Sequence, residues 1–253
     1  MKALQNAIMG SALLLSAVSI LSVGCKSYDI APRYTSKHIK ENTNQAIAQV
    51  PEAYELGYIV LSLTDAAQQN DNIINKETPY YQEVSKHFSA YKKHKAVREL
   101  NEELSEDANR LTYFRNGLYA FYFNSNRFVL KADYRIDLNR LDFKKYASLL
   151  KDFAKDSGFR QFYAQHKSFY NELIKSQQQQ LSMESAWKSV EKTYDKPFQS
   201  YQVILSPLMK GETGTVAINS HRFNECLIFA QSGNRKNVSY GQYTVPVTDA
   251  NGR

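Results

Sequence analysis

Thr193-Tyr-Asp-Lys-Pro-Phe-Gln-Ser-Tyr-Gln-Val-Ile-Leu205 marks a change of texture in the chain, and its reading decides the fold class. Lys196-Pro197 ends a helical pattern carrying Trp187, Val190 and Tyr194, because the residue before a proline is driven out of the helical region and proline cannot continue the hydrogen-bond ladder. Tyr201-Gln-Val-Ile-Leu205 then opens a series of short strand-like runs: Thr215-Val-Ala-Ile218, Cys226-Leu-Ile-Phe229 and Tyr240 to Val247, separated by Gly, Pro and Asn. The expected class is α+β, with a mostly helical, bundle-like first part followed by a small antiparallel β-rich region.

Working back from Pro197, helix signals dominate. Pro51 suits a first helical position, Glu52 and Glu55 sit where the helix dipole favours negative charge, and Leu56, Ile59, Val60 and Leu63 recur on one face. Thr78-Pro79 starts a second helix with Val84, His87, Phe88 and Tyr91 on one side. A third carries Val97, Leu100, Leu104, Ala108 and Leu111. Tyr119 to Phe123 and Phe128 to Tyr134 flank the polar turn Asn124-Ser-Asn126 and read as a hairpin. Leu141, Phe143, Tyr146, Leu149, Leu150 and Phe153 form the next helical face, capped by Gly158. Phe159, Phe162, Tyr163, His166, Phe169, Tyr170, Leu173 and Ile174 follow, with Gln177 to Gln180 as the polar end of that helix and Ser182 as the cap of one more.

The amino terminus gives an address. Met1-Lys2 precedes an apolar run from Ala7 to Ile20 that Gly10, Ser11, Ser16 and Ser19 interrupt, so it reads as a removable signal and lacks the roughly 20 apolar residues of a membrane span. Leu21-Ser-Val-Gly-Cys25 resembles the lipobox of bacterial lipoproteins, with Ser22 where that pattern prefers Leu. The resemblance implies cleavage between Gly24 and Cys25 and a lipid anchor on Cys25, and two or more acyl chains would hold stably. Lys26, in place of an Asp retention signal, favours the outer over the inner membrane of the cell envelope. The expected division is a signal peptide over 1–24, a lipid-anchored polar tether over 25–44 that becomes extended near Ile39, a mainly helical domain over 45–196, and a β-rich region over 197–253 packed on the helices.

The formal charge of +7 is spread among interleaved acids and bases, which describes solvated helix faces and argues against a nucleic-acid partner. With Cys25 committed to lipid, Cys226 stands alone in an apolar run, which makes it a small buried hydrophobe and leaves no internal disulfide. Metal chemistry finds only weak candidates in Glu83 and His87, four apart on one helix. His94 is seven residues past His87, about 10 Å along a helix axis, too far to share an ion. No Gly-x-Ser-x-Gly occurs, and Gly211-Glu-Thr-Gly214 is a turn without the lysine of a phosphate loop. No catalytic or cofactor-binding residue emerges. The 18 Tyr and 13 Phe lie mostly at core-facing spacing, although exposed rings, Trp187 among them, could stack on sugars.

Three stretches, Val50-Pro-Glu-Ala-Tyr-Glu-Leu-Gly-Tyr-Ile-Val-Leu-Ser-Leu-Thr64, Glu83-Val-Ser-Lys-His-Phe-Ser-Ala-Tyr-Lys-Lys-His94 and Tyr201-Gln-Val-Ile-Leu-Ser-Pro-Leu208, resemble an uncharacterised family of bacterial lipoproteins over about residues 45 to 245. That resemblance implies a helical first part followed by a part similar to zinc metallopeptidases, whose metal-binding histidines lie beyond the matched region; no such motif precedes Asn251-Gly-Arg253. The expectation is therefore a membrane-tethered envelope protein that binds or scaffolds a protein, peptide or glycan, without a cofactor and leaning away from catalysis. An incomplete or degenerate zinc-metallopeptidase-like protein and a surface glycan-binding protein are the alternatives.

Overall fold

The computed structural model describes residues 29–181, 185–210, 214–231, 237–240 and 243–246, without the side chains of 180–189 and of 232 onward. The fold is α+β. Strands β1 (Ile30–Pro32) and β2 (Gln45–Gln49) flank helix α1 (Ser36–Asn42), which Thr35 caps by accepting from the His38 amide at 3.1 Å. Residues 30–42 thus fold as strand and helix where composition suggested a tether, and Ile39 is helical. Composition could not show this, because α1 contains no buried residue and is held by long-range contacts of His38 and Asn42 with Glu225, Phe223 and Gln202.

Helix α2 (Glu52–Ser62) follows, and every residue from Ala53 to Ser62 is buried. The sequence reads as amphipathic, but neighbours enclose the helix on all sides. Next come α3 (Asp65–Gln69), α4 (Pro79–Phe88), α5 (Lys95–Glu106) and α6 (Arg110–Leu118). The pattern expected to run unbroken from Val97 to Leu111 divides at Asp107. Its carboxylate accepts from the Asn109 amide at 2.9 Å in a local turn that competes with helix continuation. Gly57 and Gly117 let α2 and α6 approach their neighbours closely: a Cβ on Gly57 would lie 2.2 Å from Leu118 Cδ1, and one on Gly117 would lie 2.2 Å from Phe143 Cζ.

The expected hairpin is present as β3 (Phe121–Asn124) and β4 (Arg127–Leu130), but Tyr134 leaves it to join β5 (Tyr134–Ile136), which pairs antiparallel with β1. Helix α7 (Phe143–Asp156) starts on Asp142, which accepts from the Lys144 and Lys145 amides, and ends before Gly158, whose φ of +68° suits glycine. Helices α8 (Phe159–Gln165), α9 (Lys167–Leu181) and α10 (Ser185–Tyr194) complete the helical part.

The carboxyl-terminal strands are β6 (Ser200–Ser206), β7 (Gly214–Asn219), β8 (Asn224–Gln231), β9 (Asn237–Tyr240) and β10 (Tyr243–Pro246). They are antiparallel in the β7–β8 and β9–β10 pairs. In the central sheet, ordered β2-β6-β8-β7, β6 runs parallel to both β8 and β2. The helical stretch is thus a long crossover between parallel strands, and parallel pairing buries both faces of β6, all seven residues of which are buried. One face packs on α2, where Tyr54 stacks on Phe229 with centroids 5.7 Å apart; the other packs on α10, where Tyr201 donates to Glu191 at 2.5 Å. The outer edge of β2 is covered by Gln178 of α9, whose side chain accepts from the Ala48 amide at 3.0 Å and donates to the Ala46 carbonyl at 2.7 Å in the manner of another strand.

Candidate functional site

The α2-facing side of the central sheet is polar. Ser200, Gln202 and Ser206 alternate along β6 and are all buried, and Glu225 of β8, paired in register with Ser200, is completely buried. These polar residues share one face of a strand buried on both sides, with only Ile204 between them, and must find partners within the protein. At the amino end of the strands the partners are abundant. Glu225 Oε2 accepts from the Tyr134 hydroxyl at 2.7 Å and the Tyr34 hydroxyl at 3.2 Å, while Oε1 accepts from Ser200 at 3.3 Å and lies 3.3 Å from His38 Nε2. His38 Nδ1 lies 3.6 Å from Asp133, so the imidazole sits between two carboxylates, stacked on Tyr34 at 4.8 Å. Gln202 continues the network to Asn42 and Gln49, each at 3.0 Å.

Burial dominates the chemistry of this cluster. It raises the Tyr34 hydroxyl far above its usual range, and the Glu225 carboxyl adds to the effect. It lowers the Lys131 ammonium to about 8, against the pull of Glu225 and Asp133. That ammonium lies 3.7 Å from the centroid of Tyr119 and 5.8 Å from that of Tyr134, so aromatic faces supply part of its solvation. The carboxyl of Glu225 is saturated with donors, and the arrangement fastens Tyr34 and His38 to the sheet.

At the opposite end of β6, Glu55 of α2 is also completely buried. Oε1 accepts from Tyr80 at 2.8 Å, and the Tyr80 hydroxyl lies 2.6 Å from that of Tyr170. Oε2 has no hydrogen-bond partner among the described residues, and neither do the hydroxyls of Tyr54 and Tyr58 or Nε of Arg115. Burial pushes the Glu55 carboxyl up to about 7, with the Ser206 and Tyr80 hydroxyls and His166 pulling the other way.

A surface groove of about 340 Å³ lies between the hairpin tip and the α7–α8 corner, lined by Phe123, Asn126, Lys151, Lys155, Arg160 and Gln161 together with Ala154 and Gly158. Arg160 is fixed there by Glu52 at 2.7 Å and by the Ser125 carbonyl, with its guanidinium 4.9 Å from the Phe123 centroid.

The residues singled out by sequence are engaged elsewhere. Glu83 meets His166 at 2.8 Å, and His87 Nε2 lies 3.1 Å from the Ser157 carbonyl with its ring against Phe88 and Phe162. His94 is not on their helix; it caps α5 by accepting from the Ala96 amide at 3.1 Å. No group of three or more His, Cys, Asp or Glu arranged to hold a metal occurs among the described residues. Cys226 is buried, and burial raises its thiol well above the usual range. Gly24, Cys25, residues 211–213 and the Trp187 side chain lie outside the described residues, among which no helix is long and apolar enough to cross a membrane. Sequence reading missed the group of Glu225, Tyr34 and His38, and missed Glu55 as a buried carboxyl at the other end of β6. The available signal was the alternation of Ser200, Gln202 and Ser206 inside an otherwise apolar strand. No family model, curated protein or solved structure matches the chain.

Proposed function

We propose that the chain is a lipid-tethered protein of the bacterial cell envelope, exported by residues 1–24, anchored through Cys25 on the outer rather than the inner membrane, and acting by binding or scaffolding. The observation that supports this reading is the fastening of Asp29, Tyr34 and His38, among the first described residues, to the core. Asp29 accepts from Asn116 at 2.8 Å and Arg140 at 3.2 Å, and Tyr34 and His38 engage Glu225, 191 and 187 residues further along the chain. Asp29 stands only four residues after Cys25, a span of at most ~14 Å. An anchor at Cys25 therefore holds the body against the bilayer surface, an arrangement suited to presenting one face of a rigid protein outward. Radioactive palmitate supplied to cells making the chain should label it, and Cys25→Ala should lose both the label and sedimentation with membranes. Label retained by Cys25→Ala overturns the reading.

A further inference from the structure

The groove at the hairpin tip carries three cations, and the acids around them are already committed. Glu52 pairs with Arg160, Asp156 lies 3.5 Å from His94, and Asp152 lies 3.6 Å from the Lys151 ammonium. Lys155 makes no ion pair among the described residues, and it stands four residues after Lys151 on the same helix face, an arrangement that is repulsive in isolation. The lining contains no acid, so Lys155, with Lys151 and Arg160 each sharing its charge with one acid outside the lining, leaves the concave surface positive. The side-chain amides of Asn126 and Gln161, on the same lining, add donors and acceptors suited to hydroxyl groups.

Position in the fold separates the possible sources of the anion. Arg140, three residues before α7, holds Asp29 beside the anchor, whereas Lys151, Lys155 and Gly158 lie at the other end of α7. A helix of fourteen residues is about 21 Å long. The groove thus lies at the end of α7 away from Asp29, the described residue nearest Cys25 in the chain. We infer that it binds a carboxylate-bearing sugar of an acidic polysaccharide, with Lys151 and Lys155 on the carboxylate and Asn126 and Gln161 on hydroxyls; the choice of polysaccharide over lipid headgroup rests on the Cys25 anchor.

The test is affinity electrophoresis of the full chain carrying Cys25→Ala through gels containing polygalacturonate or neutral dextran, alongside flotation with phosphatidylglycerol vesicles. Retardation by polygalacturonate but not dextran is expected. Lys151→Gln with Lys155→Gln should weaken it about tenfold, as for two half-exposed charge contacts. Lys37→Gln with Lys40→Gln, which removes the same charge from exposed positions of α1 beside Asp133 and Glu225, should leave it unchanged. Equal weakening by both pairs, or no retardation at all, overturns the assignment. Binding to vesicles that depends on Lys151 and Lys155, without retardation by the polysaccharide, also overturns it. Palmitate labelling of the unaltered chain is read separately, so failure of the anchor and failure of the groove are distinguishable.

Discussion

The hydroxyl of Tyr134 donates to the carboxyl of Glu225 across 2.7 Å, joining the strand that pairs with β1 to the central sheet 91 residues away. Glu225 is fully buried, so each donor around it offsets part of its desolvation. Tyr134→Phe removes one donor without changing the ring. The expected loss is about 1–3 kcal/mol of unfolding free energy, the usual result of leaving a buried polar atom short of a partner. Urea titration measures it, and a loss below a few tenths of a kcal/mol would show that Tyr34, Ser200 and His38 suffice.

Glu55 gives a pH dependence of definite sign. Its folded-state carboxyl titrates at about 7 against 4.5 when unfolded, so the folded protein holds the extra proton between those values. The contribution of this group is most favourable below about 4.5, declines as pH rises through 7 and is flat above. The full span corresponds to roughly 3 kcal/mol at 1.36 kcal/mol per unit. Glu55→Gln should flatten that slope and stabilise the protein at pH 8 relative to the parent, by less at pH 5. Denaturation midpoints across pH 5–8 that move in parallel for parent and variant would contradict it.

Gly57→Ala and Gly117→Ala place a methyl where Leu118 or Phe143 already stands. All four residues are buried, so neither neighbour can swing into solvent. Each variant should lose about 1–3 kcal/mol through overpacking, despite the better helix propensity of alanine. Thermal unfolding followed by circular dichroism should show lower midpoints for both, and an unchanged midpoint would mean that α2 and α6 separate easily.

Gln178→Ala strips the outer edge of β2 of a donor and an acceptor. A loss of about 1 kcal/mol is expected, together with faster amide exchange at Ala48. Unchanged exchange at Ala48 would show that the side chain is not needed to protect this edge.

Much of the fold is legible locally. The helix start at Thr78-Pro79, the glycine ending α7, the hairpin around Ser125 and the change to strands after Pro197 each depend on dihedral preferences and caps within a few residues, and each is present in the structure. The break at Asp107 is also local, but apolar spacing conceals it because a side-chain turn interrupts a pattern that would otherwise continue. Tertiary structure alone decided the rest. The parallel pairing of Gln45 with Ser200 makes β2, at the start of the stretch expected to be mainly helical, an edge of the central sheet, and no local preference encodes a partner 155 residues away. Tyr34, His38, Tyr134 and Ser200 come from four separate elements or their flanks, and only the closed fold brings them to one carboxyl. The residue types were visible in the sequence, but their meeting was not, because it depends on burial and register established by the whole chain.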